Sequence, residues 1–212
     1  MNYLKELNPP QREAVSYTDG PMLIIAGPGS GKTRVLTYRI AYLIENGLDP
    51  FSILSLTFTN KAAKEMRDRI SKIVGPQARN LFMGTFHSVF ARILRVEAPR
   101  LGFPSNFTIY DTVDAKSVIK NIIKAQGLND KIYKVNQVYY RISQAKNDLI
   151  TAQDYAKNEN FIAEDAASGK PKLNLIYTLY AKKCFENGAM DFDDLLINFY
   201  MFIYFLLVKI VK

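Results

Sequence analysis

Cysteine is nearly absent from this sequence: Cys184 stands alone among 212 residues. A lone cysteine excludes an intramolecular disulfide framework and suits a reducing compartment, so the cytoplasm is the expected setting. Histidine is as scarce, and His87 has no second ligand at metal-site spacing, which argues against a metal centre built on it. The polar start MNYLKELNPPQREAV contains no apolar h-region and does not read as a signal peptide. Long hydrophobic runs are missing too. Phe199 to Val208, extended to Leu195 across Asn198 alone, stays short of the ~20 residues that span a bilayer, so no membrane anchor is expected. Acidic residues number 20 against 28 basic ones, a net charge of +8. The excess is uneven: residues 1–110 hold 14 basic and 8 acidic side chains, residues 111–212 hold 14 and 12. Such a balance favours a polyanionic partner, although a solvated basic surface accounts for it equally well.

What is present is an ordinary globular composition, 48% hydrophobic and 23% charged, enough for one or two domains with a proper core. Its most informative stretch is MLIIAGPGSGKTRVLTYR, residues 22–39. Met22, Leu23, Ile24 and Ile25 form an apolar run without a polar face, the pattern of a buried parallel strand, and the spacing of Leu36, Ile40, Leu43 and Ile44 predicts a helix over 33–44. Between them lie Ala26, Gly27, Pro28, Gly29, Ser30 and Gly31. Strand, glycine-rich loop and helix are the context of a phosphate-binding loop, with Ala26 where the strict pattern has glycine. The glycines let backbone N–H groups close on phosphate oxygens, and the helix N-terminus adds free donors and the positive end of its dipole. Lys32 then reaches the β- and γ-phosphates, Thr33 offers a hydroxyl to a bridging magnesium, and Arg34 completes the nucleotide-binding stretch.

Upstream, Asn8 followed by Pro9, Pro10 and Gln11 marks a helix start. The Gln11 amide can meet the edge of adenine, but by residue type alone it reads as part of a solvated helix. Downstream, Ile53 to Phe58 reads as a second buried strand, running through Thr59 into a helix capped by Asn60, with Lys61 in its first turn. Leu81 to Met83 reads as a third strand ending at Gly84 and Thr85, followed by a helix from Phe86 to Ala98. Three strand-to-helix units predict an α/β fold, a parallel sheet covered by helices, whose ligands gather at the carboxyl ends of the strands. There, Thr57, Phe58, Thr59, Asn60 and Lys61 face a matching set, Thr85, Phe86 and His87. Each set offers hydroxyls and a helix N-terminus for phosphate oxygens beside a ring on which a base could stack, although by residue type alone Phe58 and Phe86 read better as core and His87 as a structural group.

These segments, together with MDFDDLL at 190–196, occur in the order and spacing of five motifs of UvrD/PcrA/Rep-type superfamily 1 DNA helicases, which the chain resembles to about Ile197. The resemblance implies a RecA-like P-loop parallel sheet with helices on both faces, interrupted by an all-helical inserted subdomain. It also implies an ATP- and Mg²⁺-dependent motor that moves 3′ to 5′ on single-stranded DNA and unwinds at junctions with duplex. By that likeness Gln11 selects adenine, Ala26 to Arg34 hold the nucleotide, and Thr57, Phe58, Thr59, Asn60, Lys61, Thr85 and His87 touch the strand.

The resulting division is a first part of the motor domain at 1–110, a helical subdomain at 111–189 and a returning segment at 190–212. Helical spacing covers 114–125, 134–146 and 174–186, Thr151 with Asp154 reads as a capping box, and 163–172 reads as a loop. No strand pattern interrupts them. Tyr133, Lys134, Tyr139, Tyr140, Arg141 and Lys146 interleave rings with charge, as a duplex contact would, but read better as a solvated helix face. The sequence holds no Mg²⁺-binding acidic pair after an apolar strand and no second motor lobe, so this chain alone is expected to bind nucleotide and DNA without hydrolysis. Asp191, Asp193 and Asp194 follow residues that do not read as a buried strand. The apolar tail departs from the family and is expected to be a core helix without its partners, or a product of frameshift or early termination.

Overall fold

A computed structural model describes residues 2–210, with side chains as far as Leu206. The fold is mixed α/β, predominantly helical, with two small parallel sheets. It divides into two compact units, residues 1–89 and residues 90–212.

In the first unit, α1 (Pro9–Ser16) opens on the predicted cap: Asn8 accepts from Gln11 N at 3.0 Å and the Gln11 side chain accepts from Asn8 N at 3.2 Å, closing a capping box. Leu7 and Val15 pack with Val35 of α2 (Lys32–Glu45), so α1 is held against the helix that leaves the glycine-rich loop. The buried face of α2 is Val35, Ile40, Ala41 and Ile44, while Leu36 is exposed. β1 (Leu54–Thr57) leads to α3 (Asn60–Val74), whose cap is Thr59 rather than Asn60: its hydroxyl accepts from Ala62 N at 3.1 Å. β2 (Phe82–Thr85) follows and pairs with β1 in parallel register, Leu54 opposite Phe82 and Thr57 opposite Thr85. Ile40, Ile44, Met66, Ile70, Leu81 and Met83 gather from these elements into one core.

The predicted first strand is not formed. Residues 21–27 have no regular structure, with Leu23 84% and Ile25 89% exposed. Apolar side chains are not sufficient for a strand, because its N–H and C=O groups also need ladder partners, and β1 and β2 pair only with each other among the described residues. Two strand-to-helix units are therefore present where three were expected.

The boundary between the units falls inside α4 (Phe86–Glu97). In the second unit, β3 (Thr108–Tyr110) precedes five helices: α5 (Thr112–Ala125), α6 (Val135–Asn147), α7 (Ala152–Lys157), α8 (Glu159–Ala167) and α9 (Leu173–Glu186). β4 (Ala189–Asp191) then pairs in parallel with β3, and α10 (Phe192–Ile210) follows. Both strands correct the reading of the region as purely helical. They are three residues long, too short for a period-two pattern to emerge from the sequence. α8 likewise occupies much of the predicted 163–172 loop. Its cap is Asn158, which accepts from Asn160 N and Phe161 N.

The helical core joins Ile119, Ile122 and Ile123 of α5 with Val138 and Ile142 of α6, Tyr155 of α7, and Ile176, Tyr177 and Tyr180 of α9. Leu94, Phe107, Met190 and Leu195 form a second cluster around β3 and β4. In α10, Leu195, Ile197 and Phe202 are buried while Tyr200, Met201, Ile203, Tyr204 and Phe205 are exposed, so the expected core helix is buried along one side only. No helix among the described residues is long and apolar enough to cross a membrane.

Candidate functional site

The glycine-rich loop turns where its glycines permit. Gly29 and Gly31 have φ of 76° and 86°, left-handed conformations that other residues adopt only with strain. Gly31 is the N-cap of α2 and no side chain caps the helix, so the N–H groups of its first turn remain free donors. A Cβ at Gly27 or Gly29 would meet nothing within 4 Å, which leaves the loop open on that side. The Lys32 ammonium donates to the carbonyl oxygens of Ala26 at 2.8 Å and Gly27 at 2.7 Å. It has no carboxylate partner among the described residues.

Gln11 is brought to this loop from α1. Its Nε2 donates to Ser30 O at 2.9 Å, and a Cβ on Gly31 would lie 3.0 Å from the same nitrogen. Both ends of the amide are thus engaged, one by the cap of α1 and the other by the loop. Ser30 folds back, its Oγ donating to Gly27 O at 2.7 Å. Thr33 and Arg34 are exposed on the first turn of α2. Among the described residues no cluster of three or more His, Cys, Asp or Glu is gathered to hold a metal ion. Magnesium would here need oxygens from a bound nucleotide and from water beside the Thr33 hydroxyl.

The parallel register of β1 and β2 brings the second group of predicted residues together. Thr57 pairs with Thr85, and the next residues, Phe58 and Phe86, place their ring centroids 5.7 Å apart at an interplanar angle of 47°. Phe58 is 90% exposed, so it is not the core residue that its composition allows. Thr59, Asn60 and Lys61 are exposed beside it, while Thr85 and His87 are half-buried. The Thr59 hydroxyl oxygen is engaged as the cap of α3. The Thr85 hydroxyl is spent on Ser88, donating to its Oγ at 3.0 Å and accepting from its N–H at 3.3 Å.

The second unit carries a groove that the sequence reading did not single out. Lys120 and Lys124 of α5 and Lys134 before α6 line a cavity of about 1020 Å³, with Val135 and Asn136 at the uncapped start of α6 on its wall. Asp130 is its one acidic lining residue. Among the described residues no ion pair reaches these three lysines. The signal was available: Lys116, Lys120 and Lys124 recur every fourth residue, so like charges share one helix face.

The interleaved aromatic and basic residues do not form one face. Tyr133 and Lys146 are buried, Tyr140 is exposed, and Arg141 is paired with Glu164 at 2.8 Å and Asp165 at 3.4 Å. The acidic run also needs correction, because Asp191 closes β4, a strand buried at all three positions. Its carboxylates are nonetheless occupied. Lys146 Nζ lies 2.7 Å from Asp191 Oδ2 and 2.7 Å from Asp194 Oδ1, and Tyr180 donates to Asp191 Oδ2 at 2.6 Å. Burial pushes Asp194 up to about 6 although Lys146 opposes the shift. Against the same burial, the Lys146 ammonium holds Asp191 below the usual carboxylate range. Burial also pushes the Cys184 thiol up to about 12, which makes it an unreactive core group.

Comparison with known proteins agrees with this arrangement of motifs. Residues 7–206 match the family described as the UvrD/REP helicase N-terminal domain. The chain is 45% identical over 204 residues to the ATP-dependent DNA helicase PcrA of Bacillus subtilis, covering 93% of this chain and 27% of that protein. Against PcrA of Staphylococcus aureus the identity is 46% over 196 residues, covering 92% of this chain and 26% of the relative. The chain therefore spans about a quarter of the length of the curated relatives it matches.

Proposed function

Because the chain belongs to the UvrD/REP helicase family through its N-terminal domain, we propose that it is the ATP-binding, strand-contacting part of a cytoplasmic DNA helicase. The observation that carries this reading is Lys32, an ammonium held by two backbone carbonyls at the start of an uncapped helix. Triphosphate oxygens are stronger acceptors for that cation than carbonyls, and they also take up the free N–H groups of the first turn. Thr33 then ligates magnesium through its hydroxyl, and Gln11 exchanges Ser30 O for the adenine edge. Lys32→Ala is expected to abolish binding of a fluorescent ATP analogue. Retained binding would remove the P-loop reading.

Single-stranded DNA is assigned to the carboxyl ends of β1 and β2, with a base on Phe58 and the backbone near Thr59, Asn60, Lys61 and His87. The lysine groove between α5 and α6 supports a second contact, to the phosphate backbone of a duplex arm at a junction. In the longer helicase, with a second motor lobe, hydrolysis would drive movement in the 3′-to-5′ direction that the family resemblance implies.

A specific observation favours a narrower reading for this chain alone. At the end of a buried parallel strand, Asp191 and Asp194 are paired with Lys146 and Asp193 accepts from Asn147, so these carboxylates are engaged within the fold rather than offered to magnesium or water. The chain by itself then binds ATP and DNA without turnover.

A further inference from the structure

Lys146 and the acidic run after β4 have no task in nucleotide or strand binding, yet they form the most deeply buried charged cluster described here. Lys146 is 3% exposed at the C-terminal end of α6. Asn147, the next residue, donates from Nδ2 to Asp193 Oδ1 at 3.2 Å. Two consecutive residues of α6 thus hold three carboxylates, Asp191 at the end of β4 and Asp193 and Asp194 in the first turn of α10. The acidic side is itself fixed: Asp191 N donates to Asp194 Oδ2 at 3.1 Å, and Asp194 N donates to Asp191 Oδ1 at 2.7 Å. Tyr180 of α9 adds its hydroxyl bond to Asp191, and its ring lies 4.9 Å from the ammonium.

Apolar residues of similar volume often stabilise such a place at least as well, because the cost of desolvating buried charges can exceed what their attraction returns. What the ion cluster supplies and an apolar cluster does not is a single orientation, fixed by directional bonds. α6 has 13 residues and is about 20 Å long. Its far end carries Val135 and Asn136 into the lysine groove. A tilt of about ten degrees at Lys146 moves that end by roughly 3 Å, as much as a hydrogen-bond length.

We propose that Lys146 is a positioning residue: seated between Asp191 and Asp194, it fixes the direction of α6 and so sets the shape of the lysine groove without touching anything bound there. The proposal rests on the reading of that groove as a contact for a duplex backbone.

The test compares the wild-type chain, Lys146→Met and the triple variant Lys146→Met/Asp191→Asn/Asp194→Asn, by melting temperature, hydrogen exchange at 136–140 and affinity for a DNA junction. Lys146→Met leaves two buried carboxylates unpaired and lowers the melting temperature. The triple variant removes that charge and recovers most of the loss, but is expected to keep at least tenfold faster exchange and at least tenfold weaker junction binding. Recovery of protection and affinity together with stability overturns the proposal. Should the triple variant not fold, Lys146→Arg keeps the charge with a longer, forked head; junction affinity reduced at least threefold is expected, and unchanged affinity overturns the proposal. Lys120→Ala/Lys124→Ala tests the groove separately. If it leaves junction affinity intact, the duplex reading fails, while the exchange data still judge whether Lys146 orients α6.

Discussion

The two units place their lysines in opposite circumstances. Lys32 is exposed and bonded to two backbone carbonyls, whereas Lys146 is enclosed by two carboxylates and a phenol. An ammonium with only neutral acceptors at a helix N-terminus is poised for an anion; one already paired with buried carboxylates serves the fold. The same contrast holds for the apolar segments. Residues 22–25 lie open beside the glycine-rich loop, while the helical unit buries Ile119, Ile142, Ile176 and Tyr180 in one core.

The contrast is broken most severely by exchanging what each lysine touches. Lys146→Met is expected to destabilise the second unit by about 3–5 kcal/mol, the usual result of leaving buried charge without its partner, read as a lower urea midpoint. Lys32→Ala should leave that midpoint within about 0.5 kcal/mol, because the residue is exposed. If the two variants were equally destabilised, the division into a ligand lysine and a fold lysine would be wrong.

A finer cut lies within the first unit. Phe58→Ala is expected to weaken single-strand binding by about 1–3 kcal/mol, the loss of one stacked base, with ATP affinity unchanged. Equal losses of both ligands in titration would return Phe58 to a structural role.

In the second unit, pH separates the two carboxylates. Asp194 is raised to about 6 by burial, above its unfolded value, so its contribution to stability is fully present below the unfolded value and is lost as pH rises through about 6. Asp191 is lowered by Lys146, so its contribution holds above the unfolded value and is lost only as pH falls through its lower folded one. From pH 7 to 5 the Asp194 contribution should therefore grow. Thermal melts of Asp194→Asn should lack this gain over that window; an identical pH profile in both proteins would contradict the assignment. A small effect is expected at Leu149, which follows the C-cap of α6 with φ of 60°. Leu149→Gly relieves that conformation and should stabilise the chain by ~0.5–1 kcal/mol in denaturant titration.

How much of this was legible in the sequence differs between the units. In the first, the motif residues were readable and the architecture less so. The glycine spacing, the Asn8 cap and the parallel ends of β1 and β2 follow from residue types and offsets, whereas the state of residues 22–25 depends on ladder partners that a local pattern does not reveal. In the second, helix positions followed from apolar spacing, and the chemistry did not. Lys146 looked like one more solvated cation, because its partners Asp191 and Asp194 lie 45 and 48 residues later and only packing brings them together. The shortness of β3 and β4 hid the strand that Asp191 closes, so the expectation that the acidic run follows no buried strand was wrong. The lysine groove was missed although the fourfold spacing of Lys116, Lys120 and Lys124 had announced a shared face.

The central proposal is that the glycine-rich loop takes the phosphates of ATP while Asp191, Asp193 and Asp194, held by α6, do not serve hydrolysis. ATP turnover by the purified chain, with and without single-stranded DNA and with Lys32→Ala as control, tests it most directly. The account expects ATP bound in a Lys32-dependent manner and no turnover above background in either condition. DNA-stimulated turnover that Lys32→Ala abolishes would contradict it, because an acidic group such as Asp191, Asp193 or Asp194 would then have to leave its place beside α6 and serve the nucleotide.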